Sequence, residues 1–155
     1  MPKLYWEDFS VGQVADYGPR LVTAEEIKAF AAEFDPQPMH LDEEAARSTM
    51  IGELCASGWH TCSIMMRMIA DGFILDSSSM GAGGVEEVKW LAPVRPGDLL
   101  TVRASVLEKR VSNSRPEMGF VKFSFDVLNA AGVRVMALTT PLIFGRRPAG
   151  SPANP

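Results

Sequence analysis

The chain has 155 residues, 46% of them apolar and 22% charged, with a formal net charge of −4. That is one domain's worth of sequence, long enough to bury a core without disulfides or metal. Its acidity argues against nonspecific binding to nucleic acid or to acidic membrane, while leaving room for a local basic patch around an anionic small molecule.

The amino terminus, "MPKLYWEDFSVG", carries acids where a signal peptide would have an apolar core, so no leader is expected. The segment "YWEDFSVGQVADYGPRLVT" reads as a loop followed by an extended stretch. Thr23 and Glu26 form an S/T-x-x-E capping box, which predicts a helix from Ala24 to Phe34 with Ile27, Phe30, Ala31 and Phe34 on one face. Asp35 precedes Pro36, which pushes it out of the helical region and ends the helix. Asp42 is a natural N-cap for a short second helix, with Glu43 and Glu44 in its first turn.

Ser57 is a good N-cap for "SGWHTCSIMMRMIADGFIL". Trp59, Cys62, Met66, Ile69 and Phe73 recur at intervals of three and four, and Ile64, Met65, Met68 and Gly72 fill the neighbouring face. A helix apolar nearly all round should be buried on most sides. It is not a membrane span, because His60, Arg67 and Asp71 interrupt it. Cys55 and Cys62, seven residues apart, would lie about 10 Å apart along one helix, too far for a disulfide. Two reduced thiols fit a cytoplasmic protein. A thiol catalyst would need a base, and His60 is the one histidine close in sequence.

After a connector, "SSSMGAGG", the pattern turns to strands: "GVEEVKWLAPV", the turn "RPGD", "LLTVRASVLEKRV", "GFVKFSFDVLN" and "VRVMALTTPLIFG". Lys122, Ser124 and Asp126 alternate with Val121, Phe123, Phe125 and Val127. One long buried helix followed by long antiparallel strands implies an α+β domain in which a curved sheet wraps the helix. Its open edges should be covered or paired, which points to a dimer. The tail "RRPAGSPANP" should be poorly ordered, leaving residues 1–146 as the single domain and 147–155 as a flexible end.

Three features could carry chemistry. Asp35 stands at a helix C-terminus, where the dipole and any burial would raise its pKa toward the range of a proton-transfer group. Pro36 and Pro38 stiffen the segment leading to His40, one of only two histidines. Five residues in polyproline geometry span about 15 Å, so Asp35 and His40 can share a target only if the segment bends. Finally, Ser57-Gly58 at a helix start exposes backbone N–H groups beside a residue without a side chain, a ready anion or oxyanion site.

The run Asp35-Pro36-Gln37-Pro38-Met39-His40, with "FAAEF" before it, "HLDEEAA" after it, the "ASGWHT" helix start and "VKWLAPVRPGD", resembles the MaoC-like dehydratase family. That family includes the (R)-specific enoyl-CoA hydratases of the hotdog fold, and the likeness runs over about residues 5–146. It implies a hotdog domain paired into a homodimer, with active sites near the interface. It further implies that Asp35 and His40 bind and activate water, the Gly58 amide polarises a thioester carbonyl, and Gln37, Ser57, Trp59 and Met66 contact substrate. Which of Asp35 and His40 takes the water proton stays open. The implied reaction is reversible syn addition of water to a trans-2-enoyl-CoA, giving a 3-hydroxyacyl-CoA, with no metal or organic cofactor. Two departures stand out: Gln37 replaces the usual Asn, and Met66 stands where some relatives carry Ser.

The residues themselves agree with that chemistry, since hydrating a conjugated thioester needs a base for the water, an acid for the α-carbon and donors for the enolate oxygen. Two alternatives remain open. A hotdog thioesterase would also polarise a thioester at a helix start, and a non-catalytic acyl-CoA-binding or scaffold subunit would need neither Asp35 nor His40. Lys89, Arg95, Arg103, Lys109 and Arg110 are available for CoA phosphates.

Overall fold

A computed structural model describes residues 1–155. Strand β1 (Val14–Leu21) leads into α1 (Ala24–Phe34), a single turn α2 (Pro38–Leu41), a short α3 (Glu43–Arg47) and the long α4 (Gly58–Ile69). The helix continues as a π turn over Ala70–Ile74 before β2 (Ser79–Ala82), β3 (Glu87–Trp90), β4 (Leu99–Val111), β5 (Met118–Leu128) and β6 (Arg134–Gly145). All strand pairs are antiparallel, in the order β1-β4-β5-β6-β2, with β3 also pairing with β6.

The sheet follows from the alternation in its three long strands. Along β5, Val121, Phe123, Phe125 and Val127 are buried, whereas Lys122, Ser124 and Asp126 face outward. Val102 of β4 and Met136 of β6 flank Val127, extending the apolar face across three strands. Against it α4 places Ile64, Met65, Met68 and Ile69 in one contiguous core that also holds Phe125, Phe144 and Val135. Burying an aliphatic or aromatic side chain contributes roughly 1.5–3 kcal/mol, so these layers carry the fold.

The predicted bounds of α1 hold. Thr23 Oγ1 accepts from the Glu26 N–H, and the Glu26 carboxylate accepts from the Thr23 N–H. The predicted cap of α3 holds too, with Asp42 Oδ1 accepting from the Glu44 N–H at 2.7 Å.

Elsewhere the elements differ from expectation. Phe34 is exposed: α1 buries Ile27 and Ala31, while Phe34, in the last turn, stays outside the core. Helix α4 is not enclosed on most sides: Trp59, Ser63, Met66 and Arg67 form an uncovered face, while His60, Thr61, Ile64, Met65 and Met68 point inward. The sheet covers one side of the helix, and nothing in the single chain covers the other. The Ser/Gly connector contributes strand β2, and only Glu87–Trp90 of "GVEEVKWLAPV" pairs as a strand. The basic end of the chain folds back on the amino-terminal turn. Arg147 Nη2 lies 2.5 Å from Asp8 Oδ2, and the Arg147 N–H donates to Glu7 at 2.9 Å.

Candidate active site

The chain leaves α1 at Asp35, whose N–H still bonds the Ala31 carbonyl at 2.9 Å. Pro36 cannot continue the helix, and the Gln37 N–H turns back onto the Asp35 carbonyl at 2.8 Å. Pro38, with its preset φ, then occupies the first position of α2, where a missing N–H costs nothing. This single turn is the bend that the Asp-to-His segment needed. It carries His40 inward, 7% exposed, and brings its Nε2 to 3.5 Å from Asp35 Oδ2.

Both groups are oriented by neighbours. His40 Nδ1 lies 2.7 Å from the Cys55 carbonyl oxygen. A carbonyl only accepts, so Nδ1 carries the proton and, in the neutral ring, Nε2 presents its lone pair toward Asp35. Asp35 Oδ2 accepts from Ser57 Oγ at 2.6 Å, and Oδ1 accepts from Gln37 Nε2 at 2.7 Å. The expected rise in the Asp35 pKa is therefore overturned. The Ser57 hydroxyl and then the Gln37 amide stabilise the carboxylate, the imidazolium form of His40 adds to this, and together they hold it below the usual carboxylate range despite partial burial.

Ser57 stands at the N-cap position of α4 but makes no side-chain cap bond. It is fully buried, and its hydroxyl goes to Asp35 instead. The first turn of α4 thus has no side-chain cap, and its first residue, Gly58, lines the site. Gly58 has a packing reason of its own, since a Cβ there would stand 2.4 Å from the Trp90 indole. Trp90 in turn meets Trp59 edge-on, with ring centroids 5.2 Å apart.

These groups line one cleft of about 400 Å3. Asp35, Gln37, His40 and Gly58 form its polar end, and Ile51, Val94, Val135 and the two tryptophans form much of its apolar wall. An apolar cleft with a few convergent polar groups suits a ligand with a reactive polar head and a hydrocarbon body. No group of three or more His, Cys, Asp or Glu side chains is arranged to hold a metal ion.

The structure brings Asp35, His40, Ser57, Gly58, Gln37 and Trp59 together at this cleft. It does not bring Met66, which lies exposed on α4 and is absent from the lining. His60, two residues beyond Gly58, points into the α1–α4 seam and stacks on Phe30 with centroids 4.7 Å apart. Two participants went unassigned in the sequence. Trp90 sits in a quoted motif with no role attached to it. The Cys55 carbonyl, being main chain, leaves no trace in residue type.

Comparison with known proteins gives the family. The family model for a MaoC like domain matches residues 8–122. The chain belongs to the MaoC-like family. It is similar to the crystal structure of a MaoC-like dehydratase from Rhodospirillum rubrum, with 45% identity and a TM-score of 0.87 over 94% of this chain and 99% of that one. It is similar to the R-hydratase PhaJ1 from Pseudomonas aeruginosa, with 26% identity and a TM-score of 0.76 over 94% of this chain and 88% of that one. An uncharacterized protein, YdeM, of Bacillus subtilis is 33% identical over 130 residues, 83% of this chain and 90% of that protein. Architecture and family together make this an α+β hotdog domain of the hydratase/dehydratase group. No helix is long and apolar enough to cross a membrane.

Proposed function

We propose that this MaoC-like protein adds water reversibly to a trans-2-enoyl-CoA, giving a 3-hydroxyacyl-CoA, without metal or organic cofactor. One observation carries the reading: Asp35 Oδ2 and His40 Nε2 face each other at 3.5 Å, one as carboxylate and the other as a lone pair. Two acceptors at that separation suit a single water, which donates one hydrogen to each and turns an oxygen lone pair outward.

In this mechanism the thioester carbonyl approaches the start of α4, and the Gly58 N–H stabilises the oxygen as charge develops on it. The water oxygen bonds to the β-carbon while its proton passes to His40 Nε2. The carbon–carbon π electrons move onto the thioester enolate, and the resulting imidazolium is held by ionised Asp35. The enolate collapses as the α-carbon takes the proton back from Nε2 on the same face, which gives syn addition and restores both groups.

The apolar wall of the cleft takes the acyl chain, with Trp59 as a contact. The uncovered face of α4 and the open side of the four-residue strand β3, with exposed Trp90 at its end and exposed Val85 and Leu91 beside it, favour assembly as a homodimer. The test is loss of enoyl absorbance with purified protein and crotonyl-CoA or a longer enoyl-CoA. Hydration consumes the conjugated chromophore without free thiol. Release of free CoA with the acyl chain still unsaturated would instead show a thioesterase, and binding with neither change would show a scaffold. Sedimentation velocity tests the dimer.

A further inference from the structure

Each of the four α-helical segments starts at a residue whose side chain can cap a helix or reach back along the chain. Thr23 and Asp42 do cap, through the N–H groups of Glu26 and Glu44. Gln37 and Ser57 do not; neither makes a side-chain cap bond, and both donate to the same carboxylate, Gln37 to Oδ1 and Ser57 to Oδ2 of Asp35. Two helix starts thus give up local capping in favour of one acid.

We propose that Gln37 is a positioning residue for the hydration reaction: its amide fixes Asp35 Oδ1 so that Oδ2 stays turned toward Ser57 and His40. The proposal rests on the hydratase reading for its kinetic consequence but not for its geometry. The terminal torsion of an aspartate is broad, so a single donor on Oδ2 leaves the carboxylate plane free to rotate. A second donor on the other oxygen fixes the plane. Gln37 is well placed to supply it, because Pro36 and Pro38 restrain the backbone on both sides and its own N–H is tied to the Asp35 carbonyl. The bond from Nε2 to Asp35 gives this residue a role on the acid that the resemblance did not assign to it.

The test uses Gln37→Leu and Gln37→Glu in the full chain. Gln37 is exposed on the loop, so neither change removes a core contact. A donor to a charged group is worth enough that kcat should fall about tenfold in Gln37→Leu, with KM nearly unchanged. Gln37→Glu, which sets a carboxylate against a carboxylate, should fall further. The acid limb of the pH profile of Gln37→Leu should move upward, as Asp35 loses a group that favours its ionised form. A crystal structure of Gln37→Leu should show Asp35 Oδ2 displaced from its 3.5 Å position at His40 Nε2. A raised KM with kcat unchanged would make Gln37 a substrate contact and overturn the proposal, as would an unmoved carboxylate in the crystal. If the parent protein hydrates no enoyl thioester, the hydratase reading fails while the crystal structure still decides the positioning.

Discussion

The two histidines lie twenty residues apart and are almost equally buried, His40 at 7% and His60 at 6% exposure, yet their surroundings differ in kind. His40 has a hydrogen-bonded nitrogen against the Cys55 carbonyl and a second nitrogen facing an acid at the polar end of the cleft. His60 is stacked flat on Phe30, and its buried Nδ1 has no partner at all. Burial of a titratable group therefore does not mark a site. What distinguishes His40 is that one nitrogen is fixed so that the other is aimed.

The largest expected effect tests that distinction directly. His40→Gln or Asp35→Asn should lower hydration by about 10²–10⁴-fold, the usual range for a general acid or base. His60→Phe should leave turnover within a few-fold of the parent. Equal losses at both histidines in an enoyl-CoA assay would erase the contrast.

Ser57→Ala sharpens it next. Removing the leading donor to Asp35 should lower kcat by tens-fold, on the scale of about 1.5–3 kcal/mol for a hydrogen bond to a charged group. It should also move the acid limb of kcat/KM upward, toward the ordinary aspartate range. Since Ser57 makes no cap bond, α4 loses no side-chain cap in the variant, and thermal melting should show less loss than activity does.

Gly58→Ala gives a smaller effect with a diagnostic pattern. The new methyl meets the Trp90 ring, so the single variant should lose activity, and Trp90→Ala in the same chain should recover part of it. A loss undiminished in the double variant would place the cost at the helix amide rather than at the indole.

The smallest effect concerns His60 and stability alone. Burial holds its imidazole below the usual range, with Glu26 opposing the shift and Arg20 adding to it. Below about pH 6.5 the unfolded chain takes up a proton that the folded chain resists, so stability should decline as pH falls from there toward the lowered folded pKa. Melting temperatures of His60→Phe measured across pH 7 to 5 should show a shallower decline than those of the parent.

The three long strands of the sheet were legible in the sequence because strand alternation and burial are the same property seen twice. The bounds of β4 were read directly, and those of β5 and β6 within a residue. Helix α1 was legible through Thr23 and Glu26, whose bonds are local. Helix α4 was less so, since a run such as Trp59, Cys62 and Met66 has helical period whichever way it faces. Its uncovered side depends on where the sheet stops. At the site, Asp35, His40 and Gly58 could be singled out from type and spacing, but the sign of the Asp35 shift could not. Ser57 is twenty-two residues away in sequence, and its turn from capping to donating is settled by packing.

The Cys55 carbonyl has one further consequence. Every residue type offers the same oxygen, so no point substitution at position 55 deletes the acceptor that sets which His40 nitrogen holds hydrogen. The imidazole's protonation pattern is inherited from the route of the loop between Ser48 and Ser57. The orientation of its acidic neighbour, by contrast, depends on two side chains that mutation can erase. Genetic drift can thus disarm the carboxylate one step at a time, whereas inverting the imidazole demands that a whole loop be rebuilt.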